Sequence, residues 1–317
     1  MARESVRLIP PKDIDRNPEN PRLIFREDEL RALEESIAEQ GILVPLTVYE
    51  NAAGFVILDG ERRWRCALKL NLPTVPAIVQ PEPDPVTNIM MMFAIHKARS
   101  DWDPLPTALK LGKLEEILTE RHGRAPKENE LAAAASLSRG EIRRYRNILA
   151  LPKKYKTMLL KELELPRAKQ VLTVDHILES TRAADALWQR DLVDDDEHAA
   201  LIDALVRKFR AKIIASTVDP RLLVRMARAV EREELEFKVA RRVTLRLIRD
   251  DAYTIKKAFA DSVERIDFEH GTEQLSTRTI GRLEEHLERN YELGDSLRES
   301  LIELRKLIGR ILSNARS

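Results

Sequence analysis

The apolar run Phe55-Val56-Ile57-Leu58 stops at Asp59-Gly60, and a helical pattern carried by Trp64, Ala67 and Leu68 begins at once. That junction leaves one local solution: a strand, a tight turn at glycine, then a helix. Arg62 and Arg63 therefore fall in the first helical turn, where backbone N–H groups have no intrahelical acceptors. Positive side chains at that end oppose the helix dipole, and a bound anion would reverse the sign of the interaction. Glu61 offsets part of the charge, but two arginines outnumber it. The segment reads as a grip for phosphate.

Around this junction the first 80 or so residues alternate strand-like and helical pieces. Val6 to Ile9 predicts a short strand, followed by a Pro/Asn-rich loop. A stripe of Leu30, Leu33, Ile37 and Ala38 predicts a helix ending at Gly41. Leu46–Tyr49 and Phe55–Leu58 predict a hairpin, and Thr74–Val79 a further strand. Three prolines between Gln80 and Pro85 mark the end of this α+β unit. Beyond it only helices are expected: Val86–Lys97, Leu105–His122, Glu128–Ala135, Arg139–Leu149, Lys153–Glu162, then stretches near 175–190, 196–215, 220–236, 238–265 and 277–312. The scarcity of Gly (10) and of aromatics (5%), against 34% charged residues, favours such solvated helices over a β-rich fold.

The expected organisation is an α+β domain over 1–82, an all-α domain over 83–167, a helical region of unassigned role over 168–270 and a C-terminal helix over 271–317. No apolar run reaches the ~20 residues that cross a bilayer, so no membrane partner is expected. The single cysteine, Cys66, excludes an internal disulfide framework and suits a cytoplasmic location. Val193 to Glu197 reads as an acid-rich helix start rather than a metal site.

Lys127 to Leu149 is the second informative segment. Leu131, Ala135, Leu137, Ile142 and Tyr145 fit two short helices joined by a tight turn, with Ala132 small where they approach. Ser138 is placed to cap the second helix, with Glu141 completing a capping box. From Arg139 to Lys156 seven Lys/Arg stand against one acid, in a chain whose net charge is only +1. Ser138, Arg139, Arg143, Arg144 and Arg146 are thus candidates for a face that meets duplex DNA. A glycine often stands where this chain has Ser136 in the turn.

Together these motifs resemble the ParB partition-protein family. Gly60-Glu61-Arg62-Arg63-Trp64-Arg65-Cys66-Ala67 looks like its GERRxRA box, and Asn17-Pro18-Glu19-Asn20-Pro21-Arg22 resembles its NPxxPR element. Gly41 to Val48 resembles its GhhxPhhV segment, and the helix-turn-helix followed by Leu149-Ala150-Leu151-Pro152 resembles its central DNA-binding domain. The likeness covers roughly residues 5 to 165. It implies a ParB/sulfiredoxin-like α+β domain, a CTP-gated dimeric clamp loaded at a specific site on double-stranded DNA, and a role in plasmid or chromosome partition. It also implies a nucleoid- or plasmid-associated location and a partition ATPase as a further partner. Carried over, Gly60, Glu61, Arg62 and Arg63 would hold the triphosphate, with Arg22 near the pocket and Arg99 on phosphate.

One departure bears on chemistry. Where the family carries Glu-Asn-x-x-Arg, aligning on Trp102-Asp103-Pro104 places Ile95, His96 and Arg99. Isoleucine ligates nothing, and Mg²⁺ prefers oxygen to imidazole. No catalytic residue or metal ligand is assigned, and at most a slow CTPase is expected. The alternative function is a ParB-like transcriptional regulator without nucleotide switching. Sulfiredoxin-type repair would need a cysteine in the phosphate turn, where Glu61 stands; Cys66 lies about one helical turn further on. At the far end Leu297, Leu301, Leu304, Ile308 and Ile311 share one a/d frame, interrupted upstream by Asn290 and Gly294. They suit either a dimer seam or packing on the same chain.

Overall fold

The computed structural model describes residues 6–22, 24–97 and 103–314. Five strands form one sheet: β1 (Val6–Ile9), β2 (Ile14–Asp15), β3 (Leu46–Asn51), β4 (Gly54–Asp59) and β5 (Val75–Gln80), in the order β1-β5-β3-β4-β2. β3 and β4 form the expected hairpin, its turn fixed by Asn51 Oδ1, which accepts from the N–H groups of Ala53 (2.9 Å) and Gly54 (3.1 Å). β2, two residues long, was not legible in the sequence; it pairs parallel to β4.

Side-chain alternation sorts the sheet into two faces. Leu46, Val48, Ile57, Val75 and Ala77 point to one core with Ala67 and Trp64 of α2 (Glu61–Lys69). Tyr49, Val56 and Leu58 point the other way, onto Met92 of α3 (Pro85–Lys97). The helix α1 (Glu27–Gln40) ends at Gly41, whose φ of +72° is the left-handed stop that the sequence predicts. α3 also presents Val86, Ile89 and Phe93 to a second core shared with α4 (Pro104–His122), α5 (Glu128–Ala134) and α6 (Arg139–Ala150). One helix thus serves two cores.

The remaining helices are α7 (Lys153–Leu163), α8 (Val174–Trp188), α9 (Asp195–Arg210), α10 (Arg221–Glu231), α11 (Phe237–Arg249), α12 (Ile255–Ala260), α13 (Glu264–Glu288) and α14 (Asp295–Asn314). A continuous apolar core from Leu105 to Val263 runs across the boundary expected at 167/168. Two long helical stretches are each split. The 238–265 stretch breaks where Asp250 turns extended, and 277–312 breaks at Asn290, whose φ is +54°. The acid-rich start of α9 is a helix cap, with Asp194 accepting from Glu197 N–H at 2.8 Å. No side chain of α13 is buried, and α14 leaves Leu297, Leu304, Leu307, Ile308 and Ile311 exposed. Among the described residues no helix is long and apolar enough to cross a membrane.

Candidate functional site

The strand-to-helix junction depends on Gly60. Its φ of +97° lies in the left-handed region, and a Cβ there would stand 2.6 Å from Leu46 Cδ2. The chain can turn directly from β4 into α2 only without a side chain at this position. Glu61 follows and is buried. It accepts from Asn20 Nδ2 at 2.6 Å and from Arg65 Nε and Nη2 at 3.0 and 2.7 Å, with Arg16 at 3.4 Å. So Glu61 serves as an internal anchor for its surroundings. The Asn17–Arg22 loop is wired to the same place. Asn17 bonds Asn88 of α3 at 2.8 Å, while Asn20 Oδ1 accepts from Arg22 N–H at 2.8 Å.

The two arginines of the first turn diverge. Arg62 Nη2 donates to the backbone oxygen of Glu29 in α1 at 2.7 Å. Arg63 turns toward the start of β3, donating to the carbonyls of Val44 and Pro45, with Nη2 3.2 Å from Asp59. Arg22 Nη2 joins Arg62 on the α1 side, 2.7 Å from a Glu29 carboxylate oxygen. Sequence reasoning therefore found the residues but not their arrangement, in which Glu29 is the hub. Arg26 Nη1 (3.0 Å) and Arg167 Nε (2.9 Å), neither of which it singled out, also bond that carboxylate. The signal for Arg26 was its i,i+3 spacing to Glu29; for Arg167, 138 residues away, the sequence held none. Burial works to raise the Glu29 carboxyl, but hydrogen bonds from Arg26 and Arg167 outweigh it and hold the group below its ordinary value.

Arg62 and Arg22 thus meet at Glu29, whereas Arg63, beside Gly60, faces the start of β3 and Asp59. Arg99 lies outside the described residues, as does Trp102. Ile95 is half-buried beside the Tyr49–Met92 cluster and carries no donor atom. Among the described residues no group of His, Cys, Asp and Glu could hold a metal ion. Two buried donors, Nε of Arg26 and Nε of Arg62, have no acceptor among the described residues. Cys66 is buried, its Sγ facing Leu30 O at 3.8 Å, and burial pushes its thiol up, away from the reactive thiolate.

The second region is the α5–α6 unit. Leu137 N–H bonds Ala132 O at 2.9 Å, and Ser136 takes the left-handed conformation at the turn (φ +53°). Ser138 caps α6, accepting from Glu141 N–H at 3.2 Å while Glu141 accepts from Ser138 N–H at 2.7 Å. Leu131, Ala135, Leu137 and Ile142 are buried as expected. The arginines of α6 form a fan of ion pairs: Arg143 with Glu128 of α5, Arg144 with Asp175 of α8, and Arg146 with Glu115 of α4 at 2.6 Å. Arg139 stands exposed in the first turn of α6.

A strand–glycine–helix junction rich in guanidinium groups is followed by a capped helix-turn-helix with a basic second helix. The ParB N-terminal domain model matches residues 1–94. The chain is 30% identical over 206 residues to the chromosome-partitioning protein ParB of Caulobacter vibrioides strain NA1000, covering 64% of this chain and 63% of the relative. The chain therefore spans somewhat under two thirds of that relative's length. The nucleoid occlusion protein of Geobacillus kaustophilus is 28% identical over 269 residues, covering 78% of this chain and 92% of the relative. A C-terminally truncated ParB from Caulobacter crescentus, solved with CTP-γ-S, is 31% identical over 50% of this chain and 85% of its own, with a TM-score of 0.29.

Proposed function

We propose that this protein is a site-specific DNA-binding protein of plasmid or chromosome partition that works as a CTP-gated dimeric clamp. The observation that carries the reading is the Gly60 junction. It places Arg62 with Arg22 and Arg26 around Glu29 on one side of the α2 start and Arg63 beside Gly60 on the other. Guanidinium forks suit phosphate oxygens, and the first turn of α2 adds outward backbone N–H groups. CTP is the nucleotide of choice because a ParB relative 31% identical over the aligned residues was solved with CTP-γ-S. When bound, the nucleotide supplies the polyphosphate charge. This chain's part is to orient it between α1, α2 and the Asn17–Arg22 loop. Ile95 and His96 do not offer the oxygen ligands that magnesium prefers, so no hydrolytic step is assigned.

DNA binding is assigned to α6, with Ser138 setting its first turn and Arg139, Arg143, Arg144 and Arg146 toward the duplex. Dimerisation is assigned to α14, whose Leu297, Leu304, Ile308 and Ile311 are exposed on a helix that buries little against its own chain. Titration of the purified protein with CTP, ATP and GTP, with and without DNA, tests the switch. Binding of CTP alone supports it; binding of none overturns it. Sequencing the DNA that co-purifies from cells tests the clamp, since peaks with broad shoulders mean spreading.

A second reading, a regulator without nucleotide switching, is favoured by the engagement of Arg62 with Glu29 and of Arg63 with Asp59. It expects narrow, isolated peaks and equal occupancy on closed and open-ended DNA.

A further inference from the structure

Of the described helices, α11 is the most positive. Phe237–Arg249 holds five Lys and Arg residues and no acid, whereas α6 sets Glu141 against four arginines. Ala240, Val243, Thr244 and Leu247 are buried where α11 packs on α9, α10 and α12. Lys238, Arg242, Arg246 and Arg249 recur at steps of four, four and three, and so share the opposite, exposed face. At about 1.5 Å per residue this row spans roughly 16 Å. Arg246 pairs with Asp250 at 3.4 Å and lies over the Tyr253 ring. Lys238, Arg242 and Arg249 form no ion pair among the described residues. Like charges one turn apart repel, so the fold carries a strain that a polyanion would relieve. The helix dipole accounts for Arg246 and Arg249 in the last turn. It opposes Lys238, which stands in a first turn that holds no acid. Exposed α13 mixes both signs along its length, so solvation alone does not produce a row of one sign.

We propose that this row is a second DNA contact, one that holds the phosphate backbone of a duplex without reading its sequence. Duplex DNA carries about one negative charge per 1.7 Å of axis, so a row of this length faces an unbroken run of phosphates. Lys and Arg side chains on phosphate oxygens fix position and carry no base information. A lipid surface fits less well. The apolar side of α11 is buried in the core, and only Phe237, 42% exposed, and the half-buried Leu245 remain beside the cations. The contact adds to the DNA reading above and does not need the nucleotide switch. It gives the helical region beyond α7 a role of its own: α6 reads, α11 holds. Specific and non-specific binding then depend on different residues.

The test is fluorescence anisotropy of the full chain across a salt series, with a short duplex of arbitrary sequence and with the duplex recovered from cells. Lys238→Gln combined with Arg242→Gln keeps helix propensity and removes two charges. This double variant should bind both duplexes roughly three- to tenfold more weakly and lower the salt slope by about two per bound protomer. Arg278→Gln combined with Arg282→Gln in α13 removes the same net charge at the same spacing from exposed positions, and should change neither. If the α11 variant matches wild type on both duplexes while Arg139→Ala loses affinity for the recovered one, the second contact falls and the DNA reading stands. If the α11 variant loses affinity for the arbitrary duplex but wild type shows no preference for the recovered one, site-specific binding falls and the second contact stands. If wild type binds neither duplex, both fall. Equal losses in the two double variants would reduce the effect to net charge and overturn the proposal. So would retention on phosphatidylserine vesicles that the α11 variant loses while keeping its duplex affinity. Should the α11 variant unfold, as circular dichroism would reveal, Arg249→Gln alone decides: a salt slope lower by about one supports the contact and an unchanged slope overturns it.

Discussion

Arginines open both α2 and α6, yet the two helices hold them in opposite ways. In α2, Arg63 and Arg65 lie against carbonyls and carboxylates that are themselves inside the domain. The Glu61 side chain that receives Arg65 is 3% exposed. In α6 the pairs Arg143–Glu128 and Arg144–Asp175 stand in solvent. The first arrangement fixes side chains before any ligand arrives. The second contributes about 0–1 kcal/mol per pair, so a phosphate backbone can displace the partner carboxylates at little cost. A rigidly held set of side chains suits a small polyanion whose shape is constant. A loosely paired face suits a duplex, whose backbone must be tracked.

The sharpest way to break this contrast is to remove a carboxylate from each side. Glu61→Ala strands Asn20, Arg65 and Arg16 around a buried site and should lower stability by about 3–5 kcal/mol. Glu128→Ala, which strands only the exposed Arg143, should lower it by less than ~1 kcal/mol. Urea unfolding followed by circular dichroism measures both, and equal losses would mean the two regions do not differ in kind.

The glycines give the next largest effect. Gly60→Ala meets Leu46 Cδ2 and a left-handed backbone, and should cost about 2–4 kcal/mol. Gly140→Ala, in the first turn of α6, would find only Ser138 Oγ at 3.9 Å and should stabilise the protein by about 0.5–1 kcal/mol. A shift of thermal midpoint in the same direction for both would contradict the packing described at Gly60.

Much of this was legible in the sequence because it is local. The hairpin, the Gly60 junction and the Ser138–Glu141 box each lie within a few residues, where turn chemistry and periodicity act. The direction of the Arg62 and Arg63 side chains was not, since it depends on Glu29 and on the Val44–Pro45 carbonyls, 33 and 18–19 residues away. Arg167 was invisible for the same reason. The break at Asn290 left a trace, since Asn290 and Gly294 interrupt the apolar frame, whereas at Asp250 the backbone angles show where the helix stops.

A smaller effect separates binding from stability. Arg139→Ala should weaken DNA binding by about 1–2 kcal/mol and lower the salt slope by about one, while leaving stability within ~0.5 kcal/mol of wild type. Arg62→Ala should leave DNA affinity unchanged in the absence of nucleotide. Fluorescence anisotropy across a salt series reads both, and a loss of DNA affinity at Arg62 would merge the two regions into one surface.

The smallest effect is in acid. Glu29 in α1 and Glu130 in α5 both have carboxyls held below their ordinary value of 4.5, Glu130 down to about 2 by hydrogen bonds from Arg124 and the Lys127 N–H. A group whose folded value is depressed stabilises the fold above its unfolded value and loses that contribution as pH falls through the folded one. Both should therefore be silent above pH ~4.5 and begin to lose their contributions below it. Glu130 is solvent-exposed, so its share is small and should shrink further in high salt. Glu29 loses three guanidinium partners at once on protonation, so its share should persist in salt. Thermal midpoints of Glu29→Gln and Glu130→Gln between pH 6 and 3, at low and high salt, separate them. If salt erased both equally, the arginines around Glu29 would be no better held than the exposed Arg124 beside Glu130.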